Sequence, residues 1–372
     1  MIRKLFFGLV GVGMLAAAPA FAQSSATSGD ASTNPVIANN AVASVAAPAA
    51  STATVGLIGN AAAGAIGGGF SGGGGVGGGV GGGGGFAPAG GGGATPAGGS
   101  GPQSFLNSRD AGRAGGAGDK RFGAWLQGAY STVDNTQVGL QFDGSVYNLV
   151  GGLDYMVSDK VVVGVALGYE MLDITTAFNA GSIEADGFGV TPYIGIALTN
   201  AWSLDAAAGY TWLSYDTKRN TNITGSYDAE RWFVASNLTG NYASGRWRLM
   251  PKVGVLYLEE ESDSYRDSTG GALVGSVTKL GRISAGGRVG YAFDSVMPYF
   301  KLMGEYDFEK NGSVRLANGT FSHDDDMGGQ VGVGFDFYGS NTLSGNVEAS
   351  YNSLGRTDLD VWTTTARLRV KF

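Results

Sequence analysis

The sequence contains no cysteine and a single histidine, His323, among its 372 residues. These absences exclude a disulfide scaffold, a cysteine-ligated zinc or iron–sulfur site, a lipid-anchored N-terminal cysteine and any mechanism that needs several histidines. Charged residues are also scarce, at 15% of the chain, and 24 Lys and Arg against 31 Asp and Glu leave a net charge of −7. That balance excludes a basic nucleic-acid-binding protein.

No apolar run in the sequence is long enough for a membrane-spanning helix. The clearest one covers residues 5–18, after Arg3 and Lys4, and is followed by Ala20-Phe21-Ala22. It falls short of the roughly 18 to 20 residues that cross a bilayer. A basic start, a short apolar run and small residues before the cleavage point are typical of a secretory signal peptide. We predict that residues 1–22 are this peptide, cleaved between Ala22 and Gln23.

Residues 23–118 have almost nothing from which to build a hydrophobic core. Up to residue 108 this stretch has one charged residue, Asp30, and no Trp or Tyr, and 23 of the 38 residues from 64 to 101 are glycine. Ordering a glycine costs more backbone entropy than ordering any other residue and buries no side chain. We therefore predict a disordered or extended Gly/Ala/Ser-rich passenger or linker over residues 23–118.

Residues 119–372 contain all six Trp and all 16 Tyr, and are predicted to be the folded domain. Their dominant pattern is an alternation with a period of two. In residues 160–172 bulky apolar side chains occupy one parity, and small or polar side chains occupy the other. A soluble sandwich also alternates, but it does not explain why Arg, Lys, Asp and Glu share one face with many Gly and Ala. A transmembrane antiparallel barrel with a water-containing lumen explains both.

Aromatic residues recur at both ends of the predicted strands. Three pairs lie ten residues apart on one face: Trp202 and Trp212, Trp247 and Tyr257, and Trp362 and Phe372. Ten residues at about 3.3 Å each, tilted by roughly 40 to 45°, rise on the order of 24 Å. This height matches the apolar band between the two aromatic girdles of an outer-membrane barrel.

About twelve strands are predicted, with ten and fourteen as alternatives. They cover residues 121–130, 145–157, 160–173, 183–199, 201–214, 227–243, 246–259, 276–293, 297–308, 328–338, 342–352 and 359–372. The connections between them alternate between short and long. Since outer-membrane barrels have short periplasmic turns and longer outer loops, both ends of the barrel are expected in the periplasm.

Several segments together resemble the C-terminal translocator barrel of autotransporters, the type V secretion proteins of Gram-negative bacteria. The resemblance is carried in order by Trp125, GGLDYMVSDKVVVGVALGYE (151–170), TPYIGIALTNAWSLDAAAGYTW (191–212), LMPKVGVLYL (249–258), MPYFKLMGEYDF (297–308) and Phe372. It implies export by the Sec machinery, insertion by the outer-membrane barrel-assembly machinery, and passage of the preceding segment through the pore. The last strand is implied to be the assembly signal, with Phe372, Val370, Leu368 and Ala366 on one face.

The charged residues of the inward parity are expected to form a lumen charge lattice rather than a substrate site. In this lattice Arg248, Arg282, Arg288, Arg367 and Arg369 face Asp205, Glu305, Asp307 and Glu348. Two acidic clusters are expected to be solvated loop charges: residues 324–326 after His323, and Glu259, Glu260, Glu261 and Asp263. No metal, cofactor or enzymatic activity is predicted.

The function predicted from the sequence is that of an outer-membrane autotransporter-type barrel that translocates or displays its short Gly-rich N-terminal segment. The alternative is a non-secreting outer-membrane pore, or an envelope structural or adhesion barrel, with a periplasmic tail. The expected partners are outer-membrane lipids, lipopolysaccharide and the two biogenesis machineries. The protein is expected to be a monomer and not to bind nucleic acid.

Overall fold

The computed structural model describes residues 39, 42, 43, 45, 121–310, 325–338 and 343–372. The predicted cleavage site at Ala22 and Gln23, most of residues 23–118, and His323 lie outside the described residues. Among the residues described, no helix is long and apolar enough to cross a membrane.

Twelve long antiparallel strands form one closed barrel. They are β1 Phe122–Asn135, β2 Phe142–Ser158, β3 Val161–Thr176, β4 Gly181–Ala197, β5 Trp202–Arg219, β6 Ile223–Gly240, β7 Trp247–Ser262, β8 Val277–Tyr291, β9 Val296–Lys310, β10 Met327–Tyr338, β11 Leu343–Leu354 and β12 Leu359–Lys371. The barrel closes between β1 and β12, whose register runs from Gly123 opposite Lys371 to Asn135 opposite Leu359. The predicted fold class and strand number are confirmed.

The two ends of the barrel differ in their connections. The turn end carries both chain ends of the barrel and the connections 159–160, 198–201, 241–246, 292–295 and 339–342. The opposite end, called the loop end here, carries the connections 136–141, 177–180, 220–222, 263–276, 311–326 and 355–358. A short strand, Tyr242–Ser244, extends the sheet at the turn end, and strands Tyr265–Arg266 and Ala272–Leu273 form a hairpin at the loop end.

Several strands extend further at the loop end than the sequence predicted, so that four connections expected to be long have only three to six residues. β1 continues to Asn135 and β5 to Arg219. The added residues carry acidic side chains on the outward face, such as Asp134, which lies opposite both Asp143 and Asp360 in the ladder. In a sequence, acidic residues at outward positions are typical of a loop. In this barrel, however, the hydrogen-bonded pairing of the strands continues beyond the apolar band of the outer face.

The outer face of the barrel is apolar and has aromatic contacts at both ends. Leu126, Leu149 and Leu167 are exposed between these ends. At the turn end the Phe122 ring lies 4.9 Å from Tyr155 and 6.2 Å from Phe372. At the loop end the aromatic pairs include Tyr130–Tyr147, Tyr210–Trp212, Trp232–Tyr257 and Tyr351–Trp362. The two bands occupy the positions expected of membrane-interface girdles.

The residues of the predicted assembly signal lie on this outer face. Ala366, Leu368 and Val370 point outward from β12. Phe372 follows the strand, and its backbone amide donates to the Phe122 carbonyl at 3.0 Å while its carbonyl accepts from the Phe122 amide at 3.1 Å. The terminal residue is therefore part of the ladder that closes the barrel.

Candidate functional site: the lumen of the barrel

A chain of buried polar contacts runs along the inner wall of the barrel at the turn end. The Trp125 indole donates to the Tyr193 hydroxyl at 2.8 Å, and that hydroxyl donates to the Asp154 carboxylate at 2.9 Å. The second Asp154 oxygen accepts from the Arg369 guanidinium at 2.6 Å, and both side chains are 1% exposed. These contacts, called the seam network here, tie β12 and β1 to β2 and β4 beside the closure of the barrel.

Glycines on the inward face make the space that the seam network occupies. A Cβ atom on Gly152 would lie 2.5 Å from the Trp125 ring, and one on Gly164 would lie 2.3 Å from the Tyr193 ring. A Cβ atom on Gly123 would lie 2.4 Å from the Arg369 guanidinium. Such approaches are closer than real Cβ atoms make, so these positions accept only glycine without a rearrangement of the seam network.

All five arginines predicted to line the lumen point inward, but they find different partners. Arg282 binds Glu305 at 3.0 Å and Asp307 at 2.5 Å, within the predicted set. Arg369 pairs instead with Asp154, which the sequence analysis did not include. Arg248 donates to the backbone carbonyls of Gly245 and Trp247. These inward arginines are therefore held by partners from several parts of the wall rather than by one acidic face.

The region around Arg288 combines ionic and aromatic contacts. The Arg288 guanidinium lies 3.6 Å from the Asp336 carboxylate and 4.9 Å from the centre of the Tyr299 ring. Tyr299 donates to Glu348, which also binds Lys301. These contacts place Glu348, one of the predicted lumen acids, against a lysine and a tyrosine.

Asp205 and Arg367, two further predicted lumen residues, have uncharged amide side chains as neighbours. Asp205 accepts a hydrogen bond from the Asn237 amide at 2.7 Å. Arg367 lies between Gln127 and Asn346 in the register, and its Nε and Nη1 have no hydrogen-bond partner in the part of the chain that the structure describes. Both side chains are buried in the barrel.

A second charge cluster contains residues that the sequence analysis missed. Arg231 binds Glu260 at 2.6 Å and Glu170 at 2.8 Å, and Glu260 accepts from the Tyr215 hydroxyl at 2.9 Å. The sequence analysis expected Glu260 to be a solvated loop residue, and this expectation is wrong. β7 continues to Ser262, so the alternation of the strand turns Glu260 inward and leaves Glu259 and Glu261 on the outer face.

At the loop end one side of the lumen is lined by apolar side chains, called the collar here. Its members are inward-facing residues near the loop ends of seven neighbouring strands, β12 and β1 to β6: Val133, Phe142, Val146, Leu172, Ile174, Ile183, Ala185, Leu213, Tyr215, Tyr227, Ala229 and Val361. The lumen of an open porin is polar. Apolar side chains that face inward and are nevertheless buried therefore indicate that something covers them.

Two residues from the N-terminal part of the chain, Val42 and Val45, lie at the collar. Asn39, Val42, Ala43 and Val45 have helical backbone. Val42 is 1% exposed and belongs to the same buried cluster as the collar, and Val45 packs against it. Val42 and Val45 therefore cover part of the collar.

The hairpin of the 263–276 connection lies against the collar and Asn39. Tyr265 stacks on Tyr227 of the collar, with ring centres 4.9 Å apart, and its hydroxyl accepts from the Asn39 amide at 3.3 Å. The hairpin is fixed to the loop ends of β5 and β6, because Arg219 binds Asp267 at 2.5 Å and Ser268 donates its amide to the Thr224 carbonyl.

Hydrogen bonds from the Thr269 hydroxyl, Arg219 and the Gly271 and Thr269 amides lower the pKa of Asp267 to about 2, although desolvation opposes them. A carboxyl group with a depressed pKa contributes its stabilisation above its ordinary pKa and loses it as the pH falls through the folded value. The contact between Arg219 and Asp267 is therefore present at neutral and mildly acidic pH and is lost as the pH falls toward about 2.

The lumen is lined by paired charged groups along much of its wall and by the apolar collar at the loop end. Within the described ranges, no group of three or more His, Asp or Glu side chains is placed to hold a metal ion. The fold and this lumen define a membrane β-barrel with an apolar outer face and a segment of its own chain inside.

Comparison with known proteins places this barrel in a family. The model of the autotransporter beta-domain matches residues 124–350, which is more than half of the chain. The chain therefore belongs to the autotransporter β-domain family, the outer-membrane transport barrels of type V secretion. No curated protein sequence matches the chain.

Solved structures of three autotransporter domains share the fold. The translocator domain of NalP from Neisseria meningitidis is 13% identical, with a TM-score of 0.58 over 72% of this chain and 95% of that one. The beta domain of BrkA from Bordetella is 18% identical, with a TM-score of 0.56 over 68% and 100%. The transport unit of AIDA-I from Escherichia coli is 15% identical, with a TM-score of 0.52 over 68% and 91%.

Proposed function

We propose that this outer-membrane barrel translocates or displays its own short N-terminal segment, residues 23–118. The observation that carries the proposal is the position of Val42 in the collar. Val42 lies at the loop end, whereas Phe122, where the barrel begins, lies at the turn end. Val42 therefore lies inside the lumen, where a translocated segment would pass, and this position supports the proposal.

The proposal includes the surroundings of the barrel. The segment is exposed at the cell surface, the Sec machinery exports the chain, and the barrel-assembly machinery inserts it as a monomer among outer-membrane lipids and lipopolysaccharide. The charged groups of the lumen are assigned a structural and passage role rather than catalysis. Support comes from the paired contacts of Arg282, Arg231 and Arg369, which engage the carboxylates that catalysis would need free.

Surface display is tested with an epitope placed near Gly64 and an external protease on intact cells. The epitope should be lost within the time in which a surface-exposed marker is digested. The matched control is the same epitope at Ser244, in the turn end, which should survive until the outer membrane is permeabilised. An epitope near Gly64 that is protected on intact cells and cleaved only after permeabilisation would favour the non-secreting alternative.

The orientation of the barrel gives a separate expected result. Tags inserted at Gly270 should bind antibody on intact cells, whereas tags at Asn200 or Ser244 should not. Gly270 suits an insertion because it has a φ of +85° in an exposed turn and no atom lies within 4 Å of its Cβ position. Antibody binding at the turn-end tags on unbroken cells would mean that the orientation is inverted. Asn318, a second predicted loop site, lies outside the described residues.

A further inference from the structure

We propose that the Arg367 guanidinium and the Tyr338 hydroxyl form a binding site for a small oxyanion, such as inorganic phosphate, inside the barrel near its turn end. The inference goes beyond the proposed function, because it concerns a ligand that enters from solution. It holds whether or not the N-terminal segment reaches the cell surface.

Arg367 is a buried charge whose donors are not used within the wall of the barrel. The residue is 5% exposed, and its Nε and Nη1 have no hydrogen-bond partner among the described residues. Taking an ionised group out of water is costly unless the group is paired and hydrogen-bonded, so buried charges are normally compensated. The guanidinium therefore retains both a charge and donors that an anion can satisfy.

The acidic side chains around Arg367 are held by other arginines. Asp336 lies on the same row of inward residues, two strands away, and its carboxylate is 3.6 Å from the Arg288 guanidinium. Asp154 binds Arg369 at 2.6 Å. Because these two carboxylates serve the other two arginines, this part of the lumen keeps a net positive charge at Arg367.

The direct neighbours of Arg367 in the sheet cannot neutralise it. In the register it lies between Gln127 of β1 and Asn346 of β11. The Asn346 amide already donates to Asp336, and the Gln127 Oε1 is a buried acceptor that carries no charge. An amide oxygen can accept from a guanidinium but uses only part of its N–H donors. Lys371, on the same face of β12, adds further positive charge.

Tyr338 supplies a second donor in the same region of the lumen. Its ring packs against a buried cluster that includes Met297, while its hydroxyl is buried without a hydrogen-bond partner among the described residues. The charges of Asp336, Arg288 and Arg367 all act on this hydroxyl, which places it with them. A guanidinium binds two oxygens of a carboxylate or phosphate at once, and a nearby hydroxyl can donate to another. An oxyanion is therefore the ligand that this pair of donors fits.

The first test is phosphorus NMR of inorganic phosphate titrated with the full-length protein in detergent micelles at constant ionic strength. The phosphate resonance should broaden on binding. Arg367→Gln removes the charge and should weaken the affinity by about tenfold, the effect of one charge-assisted hydrogen bond. The matched control, Arg246→Gln, removes the same charge from an exposed residue of the 241–246 connection at the turn end and should leave binding unchanged.

Equal broadening by the wild type and Arg367→Gln would overturn the proposal. No broadening by the wild type would also overturn it, because the guanidinium would then be engaged within the chain itself. Heat-modifiable migration on gels establishes that each variant is a closed barrel before it is titrated.

Two further variants separate a defined site from general attraction of anions to a positive lumen. Tyr338→Phe removes only a hydroxyl and should weaken phosphate binding severalfold, so it also decides the question if Arg367→Gln fails to assemble. Arg367→Lys keeps the charge but loses the planar pair of donors, and should bind phosphate more weakly than the wild type and more tightly than Arg367→Gln. Wild-type affinity in both Tyr338→Phe and Arg367→Lys would mean that no defined site exists and would overturn the proposal.

Discussion

Replacing Arg369 with Met is expected to lower the free energy of unfolding by about 3 to 5 kcal/mol, the usual cost of leaving one partner of a buried ion pair uncompensated. Arg369 and Asp154 are each 1% exposed in their side chains and lie 2.6 Å apart. The substitution leaves the Asp154 carboxylate with the Tyr193 hydroxyl as its remaining partner from the seam network. The lost ion pair lies next to the junction of β1 and β12, where only non-covalent contacts close the barrel.

The measurement is urea unfolding in lipid vesicles, followed by tryptophan fluorescence and by gel mobility. Lys279→Met is the matched control, because Lys279 and Glu259 form a more exposed pair at 3.4 Å that should contribute less than about 1 kcal/mol. Combining Arg369→Met with Asp154→Asn should recover part of the loss, since the amide oxygen still accepts from Tyr193 without a charge. A loss below about 1 kcal/mol for Arg369→Met would mean that water in the lumen screens the pair.

The alternation of side chains was sufficient to predict the barrel. The pleat of a strand sends successive side chains to opposite faces, so the parity of Val163, Val165 and Leu167 fixed their outward position before the structure was known. The same rule identified the inward arginines. It did not locate the strand ends at the loop end, because outward carboxylates such as Asp134 and Asp216 belong equally well to a loop.

The partners inside the lumen could not be predicted from parity. Arg282 and Asp307 are on adjacent strands, so their contact follows from neighbouring registers. Tyr193 and Asp154 come from β4 and β2, which are not neighbours, and they meet because both are paired with Gly164 of β3, over which the Tyr193 ring lies. This contact needs the registers of two strand pairs and a glycine on the middle strand, and the alternation within one strand does not specify a register.

The collar did leave a signal in the sequence. Ile174, Ile183 and Leu213 are large and apolar, yet they occupy the parity that is elsewhere small or charged. Their position near the loop ends of three strands indicates a local change in what the lumen contains. Most inward positions of each strand are small or polar, so the change is hidden when a strand is considered as a whole. Detecting it would need a count of the large apolar residues at inward positions, made separately for each level along the barrel axis.

Replacing Phe372 with Ser is expected to reduce outer-membrane insertion severalfold while export across the inner membrane continues. The Phe372 ring stacks on Phe122 at 6.2 Å with an interplanar angle of 12°, and its backbone exchanges two hydrogen bonds with the same residue. The side chain is therefore the last outward group of the ladder that joins β12 to β1, at the level of the turn-end aromatic band. A terminal residue in a soluble β-protein would be a fraying end with little effect.

The readout is heat-modifiable migration on gels together with the amount of protein in the outer membrane and in periplasmic degradation products. A closed barrel satisfies its backbone groups internally and resists detergent until it is heated, so unassembled chains migrate differently. Phe293→Ser is the matched control, because Phe293 is also exposed in the turn-end aromatic band and contacts Tyr291, but lies in the β8–β9 connection far from the closure. Reduced assembly for Phe372→Ser and near-normal assembly for Phe293→Ser would assign the effect to the end of the last strand. Equal behaviour of the two variants would assign it to the aromatic band in general, and wild-type levels of Phe372→Ser in the outer membrane would remove the assembly role altogether.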